Sequence, residues 1–224
     1  MNSTPKQKWN NRVNTVHTIN RAMRKYSLII FANLLFTVTL LGNRGMKDNY
    51  ERATFGGGCF WCTEAIFERV KGVVKAESGY SGGSTASPDY KQVTSGLTGH
   101  AEVIQITFDP KQVSYVELLE IFFKTHDPTT LNRQGADVGT QYRSIVLYHN
   151  EEQRIMADKV INALGEEEIW ADPIVTTVEA FEIFYSAEAY HQEYYENNPN
   201  QDYCRVVINP KVEKFEKLFK EKLK

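Results

Sequence analysis

The stretch Phe55-Gly56-Gly57-Gly58-Cys59-Phe60-Trp61-Cys62-Thr63-Glu64 sets a cysteine where a glycine turn hands over to a helix. The glycines admit turn dihedrals and a close backbone approach that residues with a Cβ resist. Free N–H groups and the dipole at a helix start favour negative charge. A thiol at Cys59 is therefore expected to ionise well below the roughly 8.5 of free cysteine. The plainer alternative is a packed, inert cysteine in a buried turn.

Working outward, Ala53–Phe55 reads as a strand running into the glycines. Phe60–Val70 reads as a helix with Ala65, Ile66, Phe67 and Val70 on its apolar face. Val73–Tyr80 and Ala101–Phe108 follow as strands, the latter closed by Asp109-Pro110. Ser114 with Glu117 forms a capping box that opens a helix to about Thr125. Beyond it come a strand at Arg143–Tyr148, a helix from Glu151 to about Leu164, a strand at Ile174–Phe181 and a tyrosine-rich helix at Ser186–Tyr195. The tail holds the loop Asn197–Asp202, then Cys204, the apolar run Val206–Ile208 and an amphipathic helix after Pro210. Strands alternating with helices imply layered packing. The polar connections Ser78–His100 and Asp127–Gln141 are long for a compact domain, which suggests that they frame a site.

Charge divides the chain. Residues 1–45 carry seven Lys or Arg and no Asp or Glu, which leaves 19 basic against 28 acidic side chains in residues 46–224, a net of −9. An acidic body argues against a nucleic-acid partner, whose phosphates favour basic surfaces. Three cysteines, Cys59, Cys62 and Cys204, are too few for a secreted disulfide scaffold and read as working thiols. In residues 1–45 a basic lead precedes the apolar segment Leu28–Leu41, the pattern of a targeting or anchoring segment with membrane association. The competing reading starts translation at Met46, which would make the protein cytoplasmic rather than membrane-associated or exported. On either reading residues 46–224 form the working domain, and it is expected to be a monomer.

Further motifs occur in a fixed order: Gly57-Gly58-Cys59-Phe60-Trp61-Cys62, Gly79-Tyr80, Thr98-Gly99-His100-Ala101-Glu102, Phe108-Asp109-Pro110, His126-Asp127-Pro128-Thr129, Gly139-Thr140-Gln141-Tyr142-Arg143-Ser144 and Tyr203-Cys204. In this combination, from about Ala53 to about Lys220, the chain resembles the A-type methionine sulfoxide reductases, the peptide-methionine (S)-S-oxide reductases. The resemblance implies an oxidoreductase that repairs oxidised proteins by returning the S epimer of methionine sulfoxide, free or in proteins, to methionine. It also implies an α+β fold, a mixed central sheet flanked by helices in the strand-helix-strand repeat of a ferredoxin-like plait.

By the same resemblance Cys59 is the nucleophile and Glu102 the general acid. A sulfoxide sulfur is a poor electrophile until its oxygen takes a proton, so a thiolate on one side needs a donor on the other. Glu102, between Ala101 and Val103 on a strand, is expected to be desolvated and so to keep a proton near neutrality. Tyr90, Asp137 and Tyr142 match polar groups of the substrate pocket, and Phe60 and Trp61 its apolar wall for the S-methyl group.

The implied cycle leaves a sulfenic acid on Cys59, which a second thiol converts to a disulfide for reduction by thioredoxin, with no bound cofactor. Cys204, after an Asn-rich stretch, is expected to be the resolving cysteine, with Cys62 as the alternative. One helical turn separates Cys62 from Cys59, a poor disulfide geometry if both side chains stay helical. Other uses of the cysteines remain open on residue types alone. One is a zinc site with His100 or His126 as fourth ligand, another a thioredoxin-like Cys-x-x-Cys oxidoreductase, and a third a noncatalytic thiol module.

Overall fold

Residues 49–167 and 169–224 are described by the computed structural model. The targeting segment expected in residues 1–45 lies outside the described residues. The account that follows is of the unit formed by Asp48–Ala163 and Trp170–Lys224.

Strand β1 (Glu51–Gly57) is buried from Ala53 onward and leads into helix α1 (Phe60–Phe67). Then follow β2 (Val73–Ser81), α2 (Tyr90–Thr94), β3 (Ala101–Phe108) and α3 (Tyr115–Thr125). A two-residue hairpin, β4 (Arg133–Gln134) with β5 (Asp137–Val138), precedes β6 (Ser144–Tyr148) and α4 (Glu151–Glu166). The chain closes with β7 (Thr177–Ala180), β8 (Tyr185–Ser186), α5 (Tyr194–Asn197), a π-helical turn at Cys204–Ile208 and α6 (Asn209–Leu218).

Six strands form one sheet in the order β7-β6-β1-β3-β2-β8. Its four central strands, with α1 and α3, trace the β-α-β-β-α-β path of a ferredoxin-like plait. Parallel pairing of β7 on β6 makes the sheet mixed, since β1, β2, β3, β6 and β8 pair antiparallel. The α+β expectation holds. Phe55 of β1 shows why both helices share one face: its ring lies 5.9 Å from Phe67 of α1 and 5.0 Å, stacked, from Phe122 of α3. Aromatic pairs of this kind add about 0.5–1.5 kcal/mol beyond their buried area. On the opposite face Val103, Ile145 and Leu147 pack under Phe181 and Phe184.

The capping box of α3 is as expected, with Ser114 N–H donating to Glu117 Oε2 at 2.7 Å and Glu117 N–H to Ser114 Oγ at 3.3 Å. Such caps contribute about 1 kcal/mol. At the β1–α1 turn, Gly58 has φ +93, and a Cβ there would stand 2.6 Å from Gln134. A Cβ on Gly57 would meet the Phe122 ring at 2.8 Å. The glycines therefore let β1 pass close beneath α3 and the β4–β5 hairpin before turning.

Two local expectations fail for identifiable reasons. The tyrosine-rich helix expected at Ser186–Tyr195 is broken, because Tyr185 and Ser186 pair with Tyr80 and Gly79 at the sheet edge and Glu193 adopts φ +51. Helix α2 lies inside a segment read as loop, where Asp89 and Gln92 cap each other. Cys204, itself buried, stands in a π-helical turn that runs into α6.

Candidate active site

Cys59 is the N-cap of α1, with φ −58 and ψ 125, and only 7% of it is exposed. Its backbone is extended, so the thiol is not confined to the helical direction. Its side chain makes no capping hydrogen bond. The Phe60 N–H instead donates to Glu102 Oε2 at 3.1 Å. Glu102 comes from β3, where it sits opposite Tyr80 of β2, and the antiparallel register carries it beneath the start of α1. Burial pushes its pKa up to about 8, against the pull of the Phe60 N–H and with help from the charges of Asp137 and Cys62. Glu102 is therefore a proton donor at neutral pH.

The low pKa expected for Cys59 is not found. Burial, the hydrogen bond to Cys62 and the negative charges of Cys62 and Glu102 push its thiol up, and only the Tyr203 hydroxyl opposes them. The first donor of the helix is taken by Glu102, and charge on Cys59 would lie beside two other acids. In the pair Cys62 ionises first, drawn down to about 7 by the hydrogen bond from Cys59, by Lys211 and by Tyr203, against burial and Asp137.

Tyr90 and Tyr142 both sense the charges of Glu102, Cys59 and Asp137, so the structure gathers them around the thiol. Burial raises both, Tyr90 to about 12, and leaves them as neutral hydrogen-bond donors at working pH. Arg143 ties the loops that present these groups. Its guanidinium donates to Thr140 O at 3.0 Å, Gly99 O at 3.0 Å and Gly82 O at 3.3 Å. Those carbonyls belong to the segments leading to Tyr142, Glu102 and Tyr90.

Asp137 is already partnered. It accepts a 2.8 Å hydrogen bond from the Tyr203 hydroxyl, and the same hydroxyl lies near enough to Cys59 and Cys62 to favour the charged form of both thiols. Tyr203 was not among the residues expected in the site. Its position just before Cys204 was the available signal, hidden among twelve tyrosines.

The apolar wall is likewise held by residues that sequence reasoning missed. The Trp61 Nε1–H donates to His191 Nδ1 at 3.1 Å, and the indole stacks on Tyr194 at 3.6 Å and 6°. His191 also packs against Phe60 at 5.0 Å and Tyr90 at 4.5 Å. Burial lowers its pKa, so the ring is neutral, and the bond from Trp61 assigns its proton to Nε2.

All three cysteines are free and share one apolar cluster with Phe60, Tyr80, Ile208 and Val212. Cys204 is raised by burial and then by the charge of Cys62. Electrostatic contact thus runs from Cys59 to Cys62 and from Cys62 to Cys204. His100 and His126 have both ring nitrogens engaged elsewhere. His100 bonds Gly83 N–H and Thr85 O, and His126 bonds Phe122 O and the Ser144 hydroxyl.

With this geometry in place, the peptide methionine sulfoxide reductase family model matches residues 51–223. The chain belongs to that family. It is 58% identical over 174 residues to peptide methionine sulfoxide reductase MsrA of Saccharolobus solfataricus, spanning 78% of this chain and 97% of that protein. The MsrA of Deinococcus radiodurans is 55% identical over 174 residues, 78% of this chain and 84% of that one. Among solved structures, methionine sulfoxide reductase A of Corynebacterium diphtheriae aligns with TM-score 0.65 and 34% identity, over 70% of this chain and 79% of its own. Reduced Mxr1 from Saccharomyces cerevisiae aligns with TM-score 0.63 and 37% identity, over 69% and 89%. The protein is thus an oxidoreductase of the MsrA type, with redox-active thiols.

Proposed function

We propose that this enzyme reduces the S epimer of methionine sulfoxide, free or within proteins, with Cys59 as nucleophile and Glu102 as general acid. One observation carries the reading: a buried carboxyl that holds its proton to about pH 8 is hydrogen-bonded to the residue following a nearly buried thiol. In the reaction Cys59 Sγ attacks the sulfoxide sulfur while Glu102 protonates the oxygen and then takes the thiol proton. Transfer of hydroxyl to Cys59 breaks the bond to the substrate sulfur, leaving methionine and a sulfenic acid with Glu102 again protonated. The positive end of the sulfoxide dipole, brought against Cys59, offsets part of what burial costs its thiolate. Cys59 therefore ionises with substrate present and rests as a thiol without it.

Phe60 and Trp61 supply a wall for the S-methyl group, whose burial is worth about 0.8 kcal/mol. Tyr90 and Tyr142 donate to the oxygen, and Asp137 orients the polar side of the substrate through Tyr203. The opposite epimer would set its oxygen against aromatic carbon with no hydrogen-bond partner, a loss that supports selectivity for S.

For recycling we propose a relay. Cys62 attacks the sulfenic acid of Cys59, releasing water, and Cys204 then exchanges onto Cys62, giving a disulfide that thioredoxin reduces. Three features support Cys62 acting first: the extended backbone of Cys59, the readiness of Cys62 to ionise near pH 7, and the helical placement of Cys204. π-helical turns recur at functional sites, and unwinding this one would free Cys204 for exchange.

The test is incubation with dithiothreitol and each resolved epimer of N-acetylmethionine sulfoxide, with chromatography for N-acetylmethionine. Turnover of the S epimer alone is expected. Turnover confined to the R epimer, or reduction of insulin disulfides with sulfoxide untouched, would reject the reading.

A further inference from the structure

Tyr90 opens helix α2, and its N–H donates to Glu188 Oε1 at 2.8 Å. The second oxygen, Glu188 Oε2, accepts from the Tyr80 hydroxyl at 2.9 Å and stands 3.9 Å from His191 Nε2. One carboxyl group thus joins the segment carrying Tyr90 to β2 and to the ring that receives the Trp61 N–H. The residues around Glu188 are registered on the sheet edge. Tyr185 and Ser186 pair with Tyr80 and Gly79, and Ala187 N–H donates to Ser78 O at 2.9 Å. The Gln192 amide accepts from Ser78 N–H at 3.1 Å and donates to Ser78 O at 2.9 Å. Helix α2, by contrast, is five residues long. Its capping box between Asp89 and Gln92 is internal and fixes its turn, while buried Val93 packs it onto the cysteine cluster. The bond to Glu188 ties the backbone of Tyr90 itself to the sheet edge.

We infer that Glu188 is a positioning residue for the reaction, holding Tyr90 where its hydroxyl meets the sulfoxide oxygen. The inference deepens the proposed function and rests on its assignment of Tyr90 as a donor to that oxygen. A tyrosine hydroxyl lies at the far end of its ring, so a small rotation at the start of α2 carries it out of hydrogen-bond range, and such bonds weaken steeply with distance and angle. A donor stabilises a reacting oxygen most when it is in place beforehand and need not reorganise during the step. Glu188 contributes that placement and no chemistry of its own, because both its oxygens are engaged by Tyr90 and Tyr80. Glutamine can do the same. Its amide oxygen accepts from the Tyr90 N–H while its NH₂ donates to the Tyr80 oxygen.

The test is a double-mutant cycle on single-turnover release of N-acetylmethionine from the S epimer of N-acetylmethionine sulfoxide, using wild type, Glu188→Ala, Tyr90→Phe and the two combined. Glu188→Ala should lower the maximal rate about tenfold, the factor for one hydrogen bond, with the half-saturating concentration little changed. In the Tyr90→Phe background the same replacement should cost less than about twofold, since the hydroxyl it would misplace is already gone. Glu188→Gln should restore the rate to within about twofold of wild type, and Tyr80→Phe, which removes only the other bond, should cost no more than that. Glu188→Asp, one methylene too short to hold both donors, takes the place of Glu188→Ala if the latter does not fold. An unchanged rate in Glu188→Ala, an equal loss in both backgrounds, or a Glu188→Gln as slow as Glu188→Ala would overturn the inference. So would a Tyr80→Phe that reproduces the whole loss, for Glu188 would then act through Tyr80. A wild-type rate in Tyr90→Phe, or no turnover of the S epimer by wild type, would instead sink the reading on which the inference rests.

Discussion

The two sides of this site are built from different material. On one side Cys59 and Glu102 stand on regular elements, the junction of β1 with α1 and the start of strand β3, and both are fixed by strand register and a backbone hydrogen bond. On the other, Tyr203 and Cys204 stand on a π-helical turn, and His191 and Tyr194 on short pieces separated by a left-handed Glu193. The sheet-borne side carries groups that have to be in place before substrate arrives. The tail-borne side carries groups that, under the relay, change partners within each cycle. A position set by a six-stranded sheet resists displacement, whereas a single irregular turn has few hydrogen bonds to lose.

The comparison breaks first at Cys59. Cys59→Ser should abolish turnover even with dithiothreitol, because no outside thiol replaces attack within a nearly closed pocket. Residual activity above about 1% of wild type would remove Cys59 from the nucleophile role.

Glu102→Gln comes next, with an expected loss of roughly 10²-fold or more in single-turnover methionine release, the scale of general acid catalysis. In wild type the same rate should fall as pH rises through about 8, where the carboxyl loses its proton. Stability should fall with rising pH as well, over a lower range. A buried carboxyl whose pKa is raised from an ordinary value near 4.3 binds its proton more tightly folded than unfolded. It therefore costs stability progressively from about pH 4.3 to about pH 8, at up to about 1.4 kcal/mol per pH unit. Glu102→Gln should consequently gain more in melting temperature at pH 8 than at pH 5, as calorimetry at the two pH values would show. An unchanged single-turnover rate, or an equal shift at both pH values, would contradict the environment assigned to Glu102.

The tail-borne side is probed by Cys62→Ser and Cys204→Ser, each with a smaller effect because one methionine per enzyme is still released. After one equivalent of sulfoxide, peptide mapping of Cys204→Ser should find a Cys59–Cys62 disulfide. Cys62→Ser should instead accumulate the sulfenic acid, which dimedone traps. Prompt formation of a Cys59–Cys204 disulfide in Cys62→Ser, with thioredoxin turnover intact, would reverse the relay and make Cys204 the direct resolving thiol.

This division also marks how far the sequence was legible. The span of β3 and the cap of α3 follow from local alternation and from Ser114 with Glu117, so both are readable from residues alone. The raised pKa of Glu102 follows from its strand context. The elevated thiol of Cys59 does not, because it depends on Glu102 taking the Phe60 N–H and on Cys62 lying alongside, both consequences of packing. His191 was invisible, and Tyr203 hard to single out among the tyrosines, for a related reason. Each acts by what it touches across long separations, Trp61 in one case and Asp137 in the other, and neither lies in a periodic element whose pattern would have singled it out.

The smallest expected effect concerns residues 1–45. The family match begins at residue 51, and every hydrogen bond described for the site lies between residues 59 and 203. We propose that residues 46–224 are the catalytic domain and that residues 1–45 serve targeting or anchoring, or precede the true start at Met46. A chain starting at Met46 should then match the full chain in kcat, in KM for N-acetylmethionine sulfoxide and in KM for thioredoxin. Fractionation with N-terminal sequencing of the native protein separates the two accounts: a soluble product beginning at Met46 excludes targeting, while a membrane-bound or exported product excludes the later start. A loss of activity in the shortened chain would instead make residues 1–45 part of the working enzyme. The division between the site's two sides would then need a third contributor.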